Sequence, residues 1–564
     1  MRPILLETDV LTIGAGGAGM YAAIEAARAG RRVILADRSL IGRGGATVMA
    51  MMTVAAAIGD DGPDDPQFHL NDTLASGRGL SNPDLARLLC EEGPECIREM
   101  DEWGVGWART AEGRIKSAHA PGHDRPRCVY VDFLNTGPAV SKTLRKVLNR
   151  TPEIRRVGDL LIVDLLLSGG RVAGAVGMDV ASGRPVVVRA AATIVATGGL
   201  TRLYRRSSAS ANMGGDGYAL ALRAGADLID MEFVQFFPIG HLAPRLIGLD
   251  PIMWDPFRYK LGGQLLNGRM EPFTDRYGAP EDGRYVITRD AATYAILKEV
   301  AAGRGTPHGG AYLSFAHVGR EALEAAFGPV IKKLAANGID LMETPIEVSP
   351  IAHYHMGGVA ADARMATGVP GLFVAGEAVG GANGANRLSG NAVTEALAFG
   401  RRAGRSAAEA AGHGLDGDAQ ALADAAAALD LVAADGPSNG FDPAAAMLSL
   451  QDLMTADVGP FRTDESLRRA LAGIAELESA MGAAPPGAPG PFAPERIDWF
   501  DLRNMLLVAR TVATAALERT ESRGAHQRED YPGQLEEWTR NQFVGLKNGE
   551  PVIRSNAAAL RRSA

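Results

Sequence analysis

Cysteine is scarce in this 564-residue chain, with only Cys90, Cys96 and Cys128 and no CxxC. So few thiols cannot ligate an iron–sulfur cluster of the chain's own, and they provide no disulfide framework. Long apolar runs are also missing, and nothing approaches the roughly 18–20 residues that span a bilayer. There is no basic excess either. The 66 acids outnumber the 58 bases, for a formal charge of −8, which removes the electrostatic case for a nucleic-acid partner. The histidines show no metal-ligand spacing, so no metal site is expected. The chain enters a strand within about ten residues, with no leader-like segment before it, so a cytoplasmic location is the expectation.

What is present is concentrated in two segments. Residues 9–19 read Asp-Val-Leu-Thr-Ile-Gly-Ala-Gly-Gly-Ala-Gly. Residues 10–13 are an apolar run typical of a buried parallel strand. Gly14 permits a tight turn, Gly16 lets the backbone approach a pyrophosphate, and Gly19 lets the next helix, residues 20–29, pack on the sheet. That helix aims its positive end at the phosphates. A second strand, 32–36, ends at Asp37, whose carboxylate is suited to an adenosine ribose hydroxyl. The second segment starts at residue 371 as Gly-Leu-Phe-Val-Ala-Gly-Glu and continues through Gly-Ala-Asn-Arg-Leu. It reads as the return of the chain to the same cofactor, near its reactive ring.

Between and beyond these segments, helices are expected at 82–105 and 137–149. Strands are expected at 160–167, 171–179, 185–190 and 192–199. Residues 237–351 mix periodicities and are dense in Arg, Pro and Gly, as in an inserted lid. From 403 the chain is Ala-rich and helical, with irregular material near 436–441. A Pro/Gly/Ala linker follows at 481–495, then a long helix at 502–518.

With its ordered motifs, the chain resembles the flavoproteins of succinate dehydrogenase and fumarate reductase, and L-aspartate oxidase. The motifs are Gly14–Gly19, Ala196-Thr-Gly-Gly199, Gly215-Asp-Gly217, Met231-Glu-Phe-Val-Gln235, Thr288-Arg-Asp290, His353-Tyr-His-Met-Gly-Gly358, Gly376-Glu377, Gly384-Ala-Asn-Arg-Leu388 and Ser522-Arg-Gly-Ala-His526. The likeness runs nearly end to end. It implies an α/β fold with a Rossmann-like FAD-binding domain (1–236, returning at 352–410), an α+β capping domain (237–351) and a helical C-terminal domain (411–564). It also implies FAD contacts at Gly14, Gly16, Gly17, Gly19, Asp37, Gly45, Thr47, Thr197, Gly198, Asp216, Glu377, Arg387 and Asn391.

Moving a hydride between a flavin and a carbon near a carboxylate requires that the carboxylate be held. It also requires that the developing charge be stabilised and a proton moved. The resemblance gives His353 and Arg387 the carboxylate clamp, to which a guanidinium fork is suited. It makes Arg289 the proton donor or acceptor, served by a relay of Asp255 and Arg258. Asp255 stands where the family has the longer Glu.

Two departures matter. Dicarboxylate-using members hold a second carboxylate with a histidine and two threonines, and here those positions are Phe237, Ile239 and Trp254. A carboxylate left there without partners would cost several kcal/mol. The expected substrate is therefore a monocarboxylate with an apolar or aromatic tail. A substrate rotated so that His241 or His355 supplies the second clamp would overturn that expectation. The other departure is Ala46, before Thr47, where members with covalent FAD have histidine; noncovalent FAD is expected. Any iron–sulfur or other electron-transfer partner must then be another chain. Two alternatives stand beside this reading. One is an L-aspartate oxidase, or the flavoprotein of a fumarate reductase or succinate dehydrogenase. The other is a non-catalytic electron-transfer flavoprotein.

Overall fold

A computed structural model describes residues 2–132, 134–245, 253–254, 261–277, 289–413, 423–436 and 440–557, without the side chains of 289–291, 327, 329 and 556–557. Asp255 and Arg258 therefore lie outside the described residues, as does the side chain of Arg289. The chain divides into two compact units. The larger comprises Met1–Arg205, Ala209–Val234 and Tyr354–Ala564, and the smaller Arg206–Ser208 and Gln235–His353.

The larger unit is built on a seven-stranded sheet. Strand Ile4–Ile13 pairs in parallel with Val33–Ala36 on one side and Pro185–Val195 on the other. Ile154–Val157 extends the parallel edge, and Leu372–Val374 joins Pro185–Val195 in parallel. Leu160–Ser168 and Arg171–Asp179 complete the sheet as antiparallel strands. Val10, Leu11, Ile34, Leu35 and Ile194 are almost wholly buried, as expected for strands covered on both faces. Helices Gly17–Arg28 and Asn391–Ala410 pack closely on one another, because Gly400 and Gly404 admit the backbone of Ala18 and Ala22.

The strands expected separately at 185–190 and 192–199 are one eleven-residue strand, Pro185–Val195, every residue of it buried. Without an exposed position between them, the backbone has no reason to break. The long C-terminal helix begins earlier than its apolar pattern, at Pro494, where the fixed φ of proline suits a first helical turn. The C-terminal region is helical through Pro443–Asp457, Asp464–Met481 and Pro494–Glu518. It then closes with a hairpin, Arg540–Lys547 against Glu550–Ala557, which the sequence pattern did not reveal.

The smaller unit holds a four-stranded sheet in the order Val234–Ala243, Ile346–His355, Ala311–Ser314, Gln264–Leu266. Helices Arg289–Ala301 and Arg320–Ala336 also belong to it. Buried Glu299 anchors its interior, accepting bonds from Arg304 and Asn267. The Arg304 guanidinium holds the Glu299 carboxyl down at about 2.

Candidate active site

In the larger unit, strand register creates a single crevice. Ile13 lies opposite Ala36 and Val195, and Val374 opposite Val195, so four parallel strands end level. The segments leaving those ends are the Gly14 turn, Asp37, Thr197-Gly198 and Gly376-Glu377. Ligands of open parallel sheets bind in such a crevice, beyond the carboxyl ends of the strands.

The glycine turn is shaped by close approach. Gly14 has φ +99°, and a Cβ there would lie 2.5 Å from the Ala196 carbonyl oxygen. A Cβ on Gly19 would lie 1.8 Å from the Gly14 oxygen. Gly16 and Gly45, by contrast, face open space. The Asp37 carboxylate accepts the Ala15 amide at 2.7 Å and the Ser39 amide at 2.8 Å, so it braces the turn from within. Thr47, at the start of a short 3-10 turn, accepts the Gly17 amide at 3.1 Å. Among the described residues, the Thr197 hydroxyl is buried without a partner. An open cradle above Gly16 and Gly45 and an orphaned hydroxyl at the strand ends fit a bound dinucleotide.

Further along the crevice, Asp216 opens helix Asp216–Arg223 and accepts the Asn504 side-chain amide at 3.0 Å. Arg38 grips Asp501 with both terminal nitrogens, at 2.6 and 2.8 Å, and approaches Asp216 at 3.5 Å. Arg202 also donates to Asp501. Sequence reasoning missed this Arg38–Asp501–Arg202 group, whose members sit hundreds of positions apart and share no motif. Asn391 is the first residue of its helix, and its side chain is committed to His69 and Thr73.

Arg387 lies at the heart of a buried cluster. Its guanidinium sits 4.4 Å over the Tyr354 ring and donates to the Leu388 carbonyl. The Tyr354 hydroxyl donates to Glu395 at 2.6 Å, and Asn383 donates to the same oxygen at 2.7 Å. Glu377 accepts the His355 amide at 3.1 Å, and its carbonyl accepts the Tyr218 hydroxyl. Burial pushes the Glu377 carboxyl up to about 8 and Glu395 up to about 7. His355 is held by Tyr218 and the Met231 carbonyl, and burial drives its imidazole down to about 3, so it is neutral at ordinary pH. Tyr354 belongs to the His353–Gly358 motif, but only packing reveals it as the platform beneath Arg387.

These raised carboxyls predict a pH dependence. The folded chain retains protons at Glu377 and Glu395 that the unfolded chain has released. Their contribution to stability is complete below the ordinary carboxylate range and is lost as pH rises through 7 and 8. The expected result is that Glu395→Gln shows a flatter fall in melting temperature than the parent between about pH 5 and 7. Parallel slopes would mean that Glu395 is not protonated in the native state.

In the smaller unit, Phe237 meets the His353 ring edge-on, with centroids 5.4 Å apart, and Ser208 bonds His353 Nδ1 at 2.8 Å. Phe237 packs with Met253 and Ile351. Ile239 and Trp254 have no exposed surface, the Trp254 amide donating to the Ile239 carbonyl and its ring lying against Phe315. Of the three substituted positions, then, Phe237 is the one against the expected clamp residue His353, and the other two are enclosed in the unit's core. His241 is engaged at both ring nitrogens, by the Trp254 indole and the Pro244 carbonyl. Among the described residues no cluster is suited to hold a metal ion, and no helix is long and apolar enough to cross a membrane.

A parallel sheet with a glycine turn, returning to a crevice edged by Gly376-Glu377, defines a dinucleotide-binding protein. Comparison with known proteins agrees. The family described as FAD binding domain matches residues 9–393, and that described as fumarate reductase flavoprotein C-term matches 447–560. The chain is 36% identical to a chain of the fumarate reductase (CoM/CoB) from Methanothermobacter marburgensis, covering 97% of this chain and 98% of that one. It is 34% identical to L-aspartate oxidase of Streptomyces coelicolor, covering 96% and 92%. Among solved structures, Mycobacterium smegmatis Sdh1 in complex with UQ1 superposes with a TM-score of 0.88 at 35% identity, covering 98% of this chain and 94% of that one. The chain belongs to the flavoprotein family of succinate dehydrogenase, fumarate reductase and L-aspartate oxidase. Its cofactor is FAD, and it is an oxidoreductase acting on CH–CH or CH–NH groups.

Proposed function

We propose that this chain interconverts a 2-enoate and the corresponding saturated acid, on a monocarboxylate bearing an apolar or aromatic tail. The observation that carries the reading is Phe237 seated edge-on against His353, where dicarboxylate-using relatives have a histidine. Ile239 likewise brings no donor for a second carboxylate, and the Trp254 indole N–H is already committed to His241 Nδ1. His241 and His355, the two candidates for a substitute clamp, have both ring nitrogens engaged within the protein.

Arg387 and His353 hold the substrate carboxylate, with Tyr354 beneath the one and Ser208 orienting the other. Arg289 exchanges the proton at the carbon that does not receive hydride, and Asp255 and Arg258 restore its charge state. Bound FAD supplies the hydride acceptor or donor. Gly14, Gly16, Gly17, Gly19, Asp37, Gly45, Thr47, Thr197, Gly198, Asp216, Glu377 and Asn391 form its site, and Ala46 leaves it noncovalent. Acid precipitation should therefore release all the flavin. An electron-transfer chain, iron–sulfur or otherwise, or oxygen exchanges electrons with the flavin.

The test is anaerobic reduction of the flavoprotein, followed by reoxidation with fumarate or an aromatic 2-enoate. Rapid reoxidation by the enoate alone is expected. Rapid reoxidation by fumarate would return the chain to the dicarboxylate chemistry named in its relatives and would end the one-carboxylate reading.

A further inference from the structure

Outside the crevice, the edge of the sheet in the larger unit carries a second cavity of about 870 Å³. Six of its lining residues are cations: Arg43, Lys142, Arg145, Lys146, Arg150 and Arg156. No lining residue is acidic, although the chain as a whole has a charge of −8. Among the described residues, none of the six forms an ion pair with a carboxylate.

The cavity is built rather than accidental. Lys142, Arg145 and Lys146 stand at i, i+3 and i+4 on helix Thr136–Leu148, and so share one face. The loop bearing Arg43 is tied to that helix by the Ser141 hydroxyl, which donates to the Gly42 carbonyl at 2.8 Å. Gly42, at φ +67°, lets the Arg145 stem lie against the loop backbone, where a Cβ would come within 2.6 Å of it. Arg145 Nε is buried and has no partner among the described residues. Arg156, on edge strand Ile154–Val157, is braced by Asn149. Burial first, and then repulsion from Arg43, makes the Arg145 guanidinium easier to deprotonate. Like charges held together without counter-charges are an unrelieved cost, which an anion removes.

We propose that this cavity binds a phosphate-bearing small molecule of nucleotide size, a nucleoside di- or triphosphate in class, at a site separate from FAD. Its volume lies within the roughly 300–1,000 Å³ of small-molecule sites, well beyond a single phosphate. Leu40, Ile41 and Leu148 add an apolar wall, and Leu40 is 66% exposed. The wall suits a planar base, while the cations suit the phosphates. None of Gly14, Gly16, Asp37 or Thr47 lines the cavity, so the pyrophosphate cradle of FAD is a different place. The proposal does not depend on which acid the enzyme oxidises or reduces.

The experiment is calorimetric titration of the FAD-loaded protein with ATP and with inorganic pyrophosphate, at low and high salt. Saturable binding with one equivalent of ATP is expected, tighter than pyrophosphate and weakened by salt. The double substitution Lys142→Glu and Arg150→Glu, on two exposed side chains, should weaken ATP by at least about tenfold with FAD content unchanged. If that pair unfolds the protein, Lys142→Gln with Arg150→Gln serves in its place. No saturable binding by either probe would overturn the proposal, as would affinity unchanged in the double variant or release of flavin on titration. Binding of an acidic polypeptide but not of ATP would make the surface a protein-docking face, and would overturn it equally.

Discussion

Gly19→Val strips the protein of flavin, with absorbance near 450 nm per mole of protein falling to a small fraction of the parent's. A Cβ at this position would lie 1.8 Å from the Gly14 oxygen and 3.3 Å from the Ala196 Cβ, so the new side chain meets backbone on one side and strand-end packing on the other. Neither can give way without moving the turn. Gly14 is itself fixed, since its amide donates to the Ala36 carbonyl at 2.8 Å and its φ of +99° suits only glycine. A displaced turn takes its amides and the helix terminus away from the pyrophosphate. Losing two charge-assisted bonds of about 1.5 kcal/mol each weakens FAD about a hundredfold. Gly16→Ala is the matched comparison. Among the described residues nothing lies within 4 Å of a Cβ there, so the chain should fold and melt normally while its methyl intrudes on the cofactor's space. If Gly16→Ala binds FAD as tightly as the parent, the open space above Gly16 is not where the pyrophosphate lies.

The second large effect is expected at Arg387. Arg387→Met keeps much of the side chain's length and loses both the charge and the fork. With two bonds to the substrate carboxylate worth about 1.5–3 kcal/mol each, kcat/KM should fall roughly a hundredfold to ten-thousandfold. Arg387→Lys should recover only a small part, because an ammonium on the Tyr354 ring cannot present two parallel donors. Flavin content separates substrate clamping from cofactor holding, since Arg387 is assigned to both. A variant that keeps its FAD and loses turnover supports the clamp; full turnover with bound FAD would remove Arg387 from the substrate site. Tyr354→Phe tests the platform more gently. It keeps the ring beneath the guanidinium but deletes the bond to Glu395, and a rise in KM larger than any fall in kcat is expected.

Much of this was legible in the chain itself because its signals are local. The glycine turn, the apolar strands on either side and the helix behind them follow from spacing over a few residues, where turn chemistry and burial on both faces leave few alternatives. The substitutions to Phe237, Ile239, Trp254 and Ala46 were equally plain as residue types. Elements whose partners are distant were not legible. The hairpin Arg540–Lys547 with Glu550–Ala557 is stabilised partly by pairing with Leu228–Ile229, some three hundred positions earlier, and no pattern within the hairpin announces that.

Sequence alone determined that this chain folds around FAD and carries cationic residues suited to a carboxylate, since both depend on residue identity at short range. Tertiary structure decided how the side chains are used. It turned Asp37 inward to brace the glycine turn, closed both ring nitrogens of His355 and His241, and set Phe237 rather than Ile239 or Trp254 against His353. It also placed Tyr354 beneath Arg387 and tied its hydroxyl to Glu395, and gathered six cations at the edge of the sheet with no acid among the cavity's lining residues. Burial, hydrogen-bond commitment and the repulsion of like charges depend on what lies nearby in space, and residues far apart in the chain supply it.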